Sequence, residues 1–323
     1  MYLVTGAAGF IGFHLSLFLL KKQKSVVGID NINNYYNKKI KFDRLKILKK
    51  YPNFKFFKID LKNKKTLSKK ISKYKNKIDI IIHLAGQAGV RYSINNPITY
   101  IENNIISYIN LLEFFKDESK PKLIIYASSS SIYGEKGSKE SNSSKIQNNP
   151  ISIYSASKLT MELISKVYNH LYKINFIGIR FFSVYGPWGR PDMFYLKFLE
   201  RIKLKKTIYI YNYGKHYRSF TYIDDVVLNL FKIINKFGKK NINICDVFNI
   251  GNPISIHLKS LINIIEKKIG IKAKKKFVKK QPGDLTLTKS LVEREKRIFG
   301  HKTTTKLNYG IDELIKWYNN YYN

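Results

Sequence analysis

A tyrosine and a lysine four residues apart form the most reactive pair that the sequence offers. Tyr154 and Lys158 lie at the start of a segment with the apolar periodicity of a helix, where residues at this spacing share one face. A free phenol has a pKa of about 10, and a neighbouring cation favours its ionised form. The pair is therefore predicted to supply a base that works near neutral pH.

Four consecutive serines, at positions 128–131, follow a predicted strand that ends at Ala127. A hydroxyl such as that of Ser129 can bind a substrate oxygen and share a proton with Tyr154. A tyrosine four residues before a lysine is common by chance, and a serine-rich turn needs no function. The interpretation therefore depends on the elements that position these residues.

The first elements are a strand, a glycine-rich turn and a helix. Glycines at positions 6, 9 and 12 suit a tight turn, the close approach of a pyrophosphate and tight packing of helix on strand. The free N–H groups of the helix then face the phosphates. The next apolar run ends in Asp30, where a dinucleotide-binding unit places the carboxylate for the adenosine ribose. No arginine lies between Asp30 and Asn37, so NAD is predicted rather than NADP.

Apolar strands alternate with helical patterns through the first half of the chain, which predicts an α/β fold with a doubly wound parallel sheet. Ligands gather at the carboxyl ends of such strands. The loops after Val4, Ile29, Ile59, Leu84 and Ala127 should therefore line one crevice. A helix is expected over residues 97–115, and residues 136–149 are predicted to form a mobile loop.

The composition raises a rival class of function. The 323 residues are 44% hydrophobic and carry a formal net charge of +37, which first suggests nucleic acid or an anionic membrane as a partner. The lysines are spread over nearly every segment and accompany abundant Asn, Ile and Tyr, all encoded by A/T-rich codons. Genome composition explains this pattern, so neither a nucleic-acid partner nor a membrane partner is expected.

Arginine, cysteine and histidine carry further information. Only eight of the 59 basic residues are arginines, and an arginine kept among so many lysines hints that a planar, bidentate group is needed. They are Arg44, Arg91, Arg180, Arg190, Arg201, Arg218, Arg294 and Arg297.

The single cysteine, Cys245, excludes an intramolecular disulfide and fits a reducing cytoplasm. The six histidines lack metal-ligand spacing, so no catalytic metal is predicted. No apolar run reaches membrane-spanning length, and residues 10–20 lack the flanks of a signal peptide.

Nine segments together resemble the extended short-chain dehydrogenase/reductase family of NAD-dependent epimerases and dehydratases. They are TGAAGFIG, GIDNINNYYN, HLAGQAGVRYS, YASSSSIYG, PISIYSASK, RFFSVYGPWGRPDM, YNYGKHYRSFTYIDD, FNIGN and QPGD. They cover residues 1 to about 290 in the order of the family. The segments HLAGQAGVRYS and YGPWGRPDM are similar to the UDP-glucuronate 4-epimerases of this family rather than to its neutral-sugar epimerases.

The resemblance assigns roles by position. It implies that Tyr154 is the catalytic base, Lys158 its lysine and Ser129 the catalytic hydroxyl. It implies NAD-binding positions at Gly6, Gly9, Phe10, Ile11, Asp30, Asp60, Leu61, Leu84, Gln87, Asn103 and Lys158. It implies substrate-binding positions at Arg190 and Arg218, with further contributions from Arg91, Ser130, Ser131 and Ser183.

The implied reaction is 4-epimerisation of UDP-glucuronate to UDP-galacturonate, through oxidation at C4 to a 4-keto sugar and hydride return to the opposite face. Two alternatives stay open: a 4-epimerase for UDP-glucose or UDP-GlcNAc, and a UDP-glucuronate decarboxylase. A 4,6-dehydratase is disfavoured, because Ser130 and Ser131 stand where dehydratases carry an Asp-Glu pair.

The resemblance also implies an architecture and an assembly. A Rossmann-type NAD-binding domain is expected over residues 1–180, with part of 216–250 returning to it. A smaller α/β substrate lobe is expected from residues 181–215 and 251–323. The family further implies a cytoplasmic homodimer, joined by the Tyr154 helix and the helix over residues 97–115, and a role in polysaccharide biosynthesis.

Overall fold

The computed structural model describes residues 1–117, 120–137, 141–143, 149–239 and 242–322. The strands are β1 (Tyr2–Thr5), β2 (Val26–Asp30), β3 (Phe54–Lys58), β4 (Ile80–His83), β5 (Leu123–Ser129), β6 (Phe176–Phe181), β7 (Ser183–Tyr185), β8 (Ile208–Tyr211), β9 (Tyr217–Tyr222), β10 (Cys245–Ile250), β11 (Ser255–His257) and β12 (Lys275–Val278).

The α-helices are α1 (Phe10–Lys21), α2 (Lys39–Leu48), α3 (Lys64–Ile71), α4 (Val90–Asn95), α5 (Pro97–Tyr100), α6 (Ser107–Phe115), α7 (Gly134–Gly137), α8 (Ile153–Tyr172), α9 (Phe194–Lys203), α10 (Ile223–Phe237), α11 (Leu258–Ile269), α12 (Glu293–Phe299) and α13 (Leu307–Tyr322). Of the described helices, none combines the length and the apolar character needed to cross a membrane.

Seven parallel strands form the central sheet, in the order β10-β6-β5-β4-β1-β2-β3. Strand β1 lies between β2 and β4, with Tyr2 opposite both Val26 and Ile80. The chain therefore runs outward from β1 in one direction through β3 and then in the other from β4. A ligand crevice forms at this change of direction. The predicted doubly wound parallel sheet is confirmed.

Two smaller sheets are built mainly from the second half of the chain. One has the order β11-β9-β7, and the other pairs β12 with β8 in parallel. Strand β10 lies beside β6 in the central sheet, whereas β9 pairs with β7 and β11. The division into a cofactor domain and a substrate lobe stays a prediction.

The segment over residues 97–115 is helical, as predicted, but its winding changes along its length. A π-helical stretch, Ile101–Ile106, separates α5 from α6. Such stretches are rare and often lie at functional sites. This one carries Asn103 into the crevice and buries Asn104 completely. The predicted loop over residues 136–149 lies largely outside the described residues, although Ser141 forms a β-bridge with Ser290.

Helix α8 begins at a well-defined cap. The Ser152 side chain accepts a hydrogen bond from the Ser155 backbone N–H, and the Ser155 hydroxyl accepts one from the Ser152 N–H. This reciprocal pair satisfies two donors at the helix start. Tyr154 therefore lies in a first turn with a fixed geometry, and Lys158 follows one turn later.

A buried carboxylate joins α8 to the two strands beside it. Glu162 accepts hydrogen bonds from the Ser128 hydroxyl at 2.6 Å and from Arg180 at 2.7 and 2.9 Å. The Arg180 guanidinium also lies 4.8 Å from the centre of the Tyr133 ring. Both charged side chains are almost fully buried, and removing one partner of such a pair is costly.

The substitution Glu162→Gln should lower the free energy of unfolding by about 3–5 kcal/mol, because it removes the carboxylate that compensates the buried Arg180. Urea denaturation measures the change. Glu293→Gln is the control, since Glu293 forms a 3.9 Å pair with Lys296 on the surface and should cost at most about 1 kcal/mol. Equal losses in the two variants would contradict the role assigned to the buried pair.

Candidate active site

One continuous cleft runs along the carboxyl ends of the central strands. All residues predicted to bind the cofactor line it, namely Gly6, Gly9, Phe10, Ile11, Asp30, Asp60, Leu61, Leu84, Gln87, Asn103 and Lys158. The other predicted site residues that line it are Ser129, Ser130, Ser131, Tyr154, Ser183, Arg190 and Arg218. Arg91 is not among its lining residues.

The glycine turn is packed too tightly for any side chain. Gly6 has φ of +71°, and a Cβ built on it would lie 2.8 Å from the Ala85 nitrogen. A Cβ on Gly12 would lie 2.1 Å from the Gly6 carbonyl oxygen. Helix α1 begins at Gly9 without a side-chain cap and without an acidic residue in its first turn. Its N–H groups are thus available to an anion such as a pyrophosphate.

The Asp30 carboxylate is oriented so that it can accept hydrogen bonds from hydroxyl groups. Its carboxylate accepts hydrogen bonds from the backbone N–H groups of Ala8 at 3.2 Å and Ile32 at 2.8 Å. Two oxygens offer about four acceptor positions, so sites remain for a ribose. The buried Lys41 ammonium lies 3.8 Å from Asp30 and 2.8 Å from the Asn33 side-chain oxygen. Lys41 was missed in the sequence, where only arginines up to Asn37 were considered.

At the other end of the cleft, Asn104 holds the loop after β4. Its side chain accepts from the Gln87 N–H at 2.7 Å and donates to the Gln87 carbonyl at 3.2 Å and to Ser157 at 2.9 Å. Ser157 precedes Lys158 on α8, so this amide fixes the loop relative to the reactive helix. The glycine cradle, the Asp30 carboxylate and the polar groups around Gln87 fit a dinucleotide along the cleft.

Tyr154 and Ser129 meet at the centre of the cleft. Ser129 is the last residue of β5, two residues beyond the predicted strand end, and its side chain lies close enough to Tyr154 to affect the pKa of the phenol. Burial raises the pKa of Tyr154, while the nearby Ser129 side chain and the charge of Arg190 oppose the rise. The predicted lowering of this pKa by Lys158 is wrong for the protein chain alone, because burial outweighs the opposing effects and the favourable charge comes from Arg190.

Lys158 is buried beside the same loop. A Cβ on Gly86 would lie 3.4 Å from the Lys158 nitrogen, and that nitrogen lies 3.7 Å from the Met161 sulfur. Burial lowers the pKa of Lys158 to about 8. The side chain is therefore cationic at neutral pH but close to its titration point.

Arg190 lies close enough to Tyr154 to influence the pKa of the phenol, but it already holds a carboxylate. Its Nε and Nη2 donate to Asp192 at 3.0 and 2.5 Å, and Tyr35 donates to Asp192 at 3.2 Å. This ion pair raises the pKa of Arg190 above its usual range. A second carboxylate must therefore approach the guanidinium from its Nη1 side. Neither Asp192 nor Tyr35 was singled out from the sequence.

The two other predicted arginines lie beside a shared aspartate. Arg91 donates to Asp284 at 2.8 Å, and Asp284 lines the cleft. Arg218 is held by the carbonyls of Tyr217 at 3.0 Å and Thr286 at 3.2 Å. Burial lowers the pKa of Arg218 and the negative charge of Asp284 opposes this shift. Arg218 thus faces the cleft, whereas Arg91 acts on it through Asp284.

The serines of the cleft supply neutral hydrogen-bonding groups. The Ser131 hydroxyl and N–H both donate to the Ser129 oxygen, at 2.9 and 3.2 Å. Ser130 lines the cleft beside them, and Ser183 does so from β7. Among the residues that the structure describes, no three His, Cys, Asp or Glu side chains are grouped to hold a metal ion.

Comparison with known proteins identifies the family of the chain. The model of the NAD dependent epimerase/dehydratase family matches residues 2–251. The chain belongs to this family. It is 39% identical over 319 residues to the UDP-glucuronate 4-epimerase of Thermodesulfobacterium geofontis, covering 98% of this chain and 95% of that protein. It is also 39% identical to UDP-glucuronate 4-epimerase 1 of Arabidopsis thaliana, covering 99% of this chain and 77% of that one.

The fold of this epimerase/dehydratase family member also matches a solved structure. The UDP-glucuronic acid 4-epimerase of Bacillus cereus, in complex with UDP-glucuronic acid and NAD, has a TM-score of 0.89 and 32% identity and covers 99% of each chain. The family resemblance inferred from the sequence motifs is confirmed. The role of each site residue stays a prediction.

The lowered pKa of Lys158 predicts a dependence of stability on pH. Its pKa is about 8 when folded and 10.5 ordinarily, so between these values the unfolded chain binds more protons. The contribution of Lys158 to the free energy of unfolding should therefore rise from pH 8 to 10.5 and be constant below pH 8.

Urea denaturation of the nucleotide-free protein and of Lys158→Met, across this pH range, measures the difference. Lys46→Met on the exposed face of α2 is the control and should run parallel to the wild type. A difference between wild type and Lys158→Met that stays flat with pH would show that Lys158 titrates at its ordinary value.

Proposed function

We propose that this family member is a UDP-glucuronate 4-epimerase that interconverts UDP-glucuronate and UDP-galacturonate with bound NAD. The observation that carries the proposal is that Tyr154, Ser129 and Arg190 line the same part of the cleft, close enough for Ser129 and Arg190 to affect the pKa of the Tyr154 phenol. These residues combine a proton acceptor, a hydrogen-bonding hydroxyl and a cation suited to a sugar carboxylate. The similarity to named UDP-glucuronate 4-epimerases supports the same substrate.

When bound, NAD supplies a reversible two-electron acceptor. The protein has to move a proton at the C4 hydroxyl in step with that chemistry. Tyr154 takes this proton and later returns it, and Ser129 holds the same oxygen by a hydrogen bond. The Arg190 guanidinium favours the phenolate form that burial opposes, and the Lys158 ammonium lies one turn further along the helix that carries Tyr154. The nucleotide end of the substrate stays anchored while the 4-keto sugar turns over, so remote binding energy confines it.

The carboxylate of the sugar needs control of its own. A 4-keto glucuronate is a β-keto acid. It loses CO₂ when the bond from C5 to the carboxylate lies perpendicular to the plane of the C4 ketone. Ser130, Ser131, Ser183 and Arg190 line the cleft, and in the proposed complex their hydroxyls and positive charge hold the carboxylate away from that orientation. The cleft therefore suits an epimerase better than a decarboxylase.

Incubation of the purified protein with UDP-glucuronate, followed by NMR of the products, tests the proposal. UDP-galacturonate should form, and Tyr154→Phe should lower the rate by about 10²- to 10⁴-fold because the proton acceptor is lost. Tyr100→Phe is the matched control, since the Tyr100 ring packs on Tyr154 with its centre 5.9 Å away. UDP-xylose or a UDP-4-keto-pentose as main product would reject the epimerase in favour of a decarboxylase.

We further propose that the protein forms a homodimer through α8 and the helical segment beside it. Helix α8 packs on the π-helical stretch and leaves Leu163, Val167 and Leu171 between 53% and 59% exposed. These residues lie four apart and share one face. Ile98 and Ile106 of the neighbouring segment are also exposed. An apolar patch of this kind is typical of a protein interface.

The double substitution Leu163→Glu and Val167→Glu should shift the protein from dimer to monomer, because it places charges in the proposed interface. Light scattering coupled to size-exclusion chromatography measures the mass. Leu204→Glu is the control, because Leu204 is equally exposed, at 55%, but lies at the end of α9. A monomeric wild type, or a dimer unaffected by the double substitution, would rule out this interface.

A further inference from the structure

Arg44 is a completely buried arginine of α2 that the proposed chemistry does not use. Its Nη1 donates to the Ala8 carbonyl at 2.8 Å and to the Tyr36 hydroxyl at 3.1 Å. Its Nη2 donates to the carbonyls of Trp188 at 2.5 Å and Gly189 at 3.2 Å. None of these acceptors is a carboxylate. Burying a charge costs free energy, and here carbonyl and hydroxyl oxygens compensate that cost. The role of Arg44 therefore follows from the loops to which those carbonyls belong.

The carbonyls that Arg44 joins belong to the two halves of the cleft. Ala8 lies in the glycine turn between Gly6 and Gly9, whereas Trp188 and Gly189 immediately precede Arg190. A single planar guanidinium therefore spans the two loops with fixed geometry. A lysine in its place has one point charge and cannot reach both loops in the same way.

The loop before Arg190 needs such support because its backbone is unusual. Trp188 has φ of +58°, a left-handed conformation that is rare for bulky residues. Conformations of this kind persist when the surroundings over-determine them. The Trp188 ring packs on Phe13 and Trp317, each with centres 5.6 Å apart, and His14 lies 3.0 Å from the Pro187 carbonyl. Arg44 donates hydrogen bonds to the carbonyls of the two residues that immediately precede Arg190.

The residues that follow Arg190 in this loop are also held by the half of the protein that contains Arg44. Asp192 takes one edge of the Arg190 guanidinium and accepts a hydrogen bond from Tyr35. Tyr35 and Arg44 both lie in the stretch that follows β2. Arg190 is thus held by Asp192 within its own loop, and that loop is in turn tied to Tyr35 and Arg44 of the other half.

We propose that Arg44 is a positioning residue that places Arg190 relative to the glycine turn. Arg44 touches no substrate group, yet recognition of a sugar carboxylate depends on it through the Trp188 and Gly189 carbonyls. The part of this inference that concerns the carboxylate rests on the proposed function. The part that concerns the loop stands on the contacts of Arg44 alone.

The first measurement follows the loop itself. The chain has two tryptophans, so Trp317→Phe leaves Trp188 as the sole tryptophan reporter. In that background Arg44→Lys should change the emission maximum and acrylamide quenching of Trp188. Arg201→Lys is the matched control and should change neither, because Arg201 also donates to a carbonyl, that of Thr207 at 2.6 Å, at the end of α9. Unchanged emission in Arg44→Lys would overturn the positioning role.

The second measurement follows substrate recognition in the Tyr154→Phe background, where the expected loss of rate keeps conversion of the substrate small during the titration. Arg44→Lys should weaken the binding of UDP-glucuronate by about 10-fold and leave that of UDP-glucose within about two-fold. Equal weakening of both would indicate a general structural defect and reject the inference. If Arg44→Lys does not fold, as judged by circular dichroism, Arg44→Gln replaces it in both measurements.

A double-substitution cycle decides whether Arg44 acts through Arg190. Arg190→Ala alone should weaken UDP-glucuronate binding, and adding Arg44→Lys should then cost little more. Additive losses would overturn the inference. Failure of the proposed function looks different: the Tyr154→Phe protein with Arg44 and Arg190 intact would then bind UDP-glucuronate no better than UDP-glucose, while the Trp188 emission would still respond to Arg44→Lys.

Discussion

The carboxylate of Glu162 is the constraint on which the reactive centre depends. Ser129 ends a strand, and Tyr154 and Lys158 begin a helix, so nothing in the local chain brings them together. Glu162 binds Ser128 on β5 and Arg180 on β6 while lying one turn beyond Lys158. Because both Glu162 and Arg180 are buried, a shift of the helix along the sheet would separate the two charges at a large cost in free energy. The buried ion pair therefore helps to fix the spacing between Tyr154 and Ser129.

Burial has opposite effects on the two halves of the cleft. Around the glycine turn it requires bare backbone, because every added Cβ meets a carbonyl or an amide. Around Tyr154 it disfavours the charged form of the phenol, and the neighbouring cation and hydroxyl compensate only in part. One end of the cleft therefore offers free backbone N–H groups to an anion, whereas the other end disfavours ionisation of the Tyr154 phenol unless a nearby positive charge stabilises it. A bound dinucleotide spans this gradient.

The features recoverable from the sequence are those carried by short spacings. The glycine turn, Asp30, and the Tyr154–Lys158 pair each lie within one strand, turn or helix, and periodicity predicts such elements well. The parallel sheet followed from the alternation of these elements. The π-helical stretch did not, because its effect on Asn103 and Asn104 arises from packing against α8 and not from residue propensity.

The features that were missed depend on contacts between different elements of the fold. Lys41 approaches Asp30 because α2 folds back over the end of β2, and Arg44 meets Trp188 across 144 positions. The sign of the Tyr154 pKa shift was also missed, since burial of the phenol is a property of the whole cleft. No window of sequence reports how far a side chain lies from water.

The ion pair of Arg190 with Asp192 has a consequence for what may rest in the cleft. A lone buried arginine would attract any small anion in the cell, and phosphate or sulfate would compete with every sugar nucleotide. Asp192 keeps the guanidinium compensated when the cleft is empty, so only a ligand already anchored elsewhere gains enough by reaching its remaining face. Asp192 is thus an internal counterion for Arg190 in the cleft.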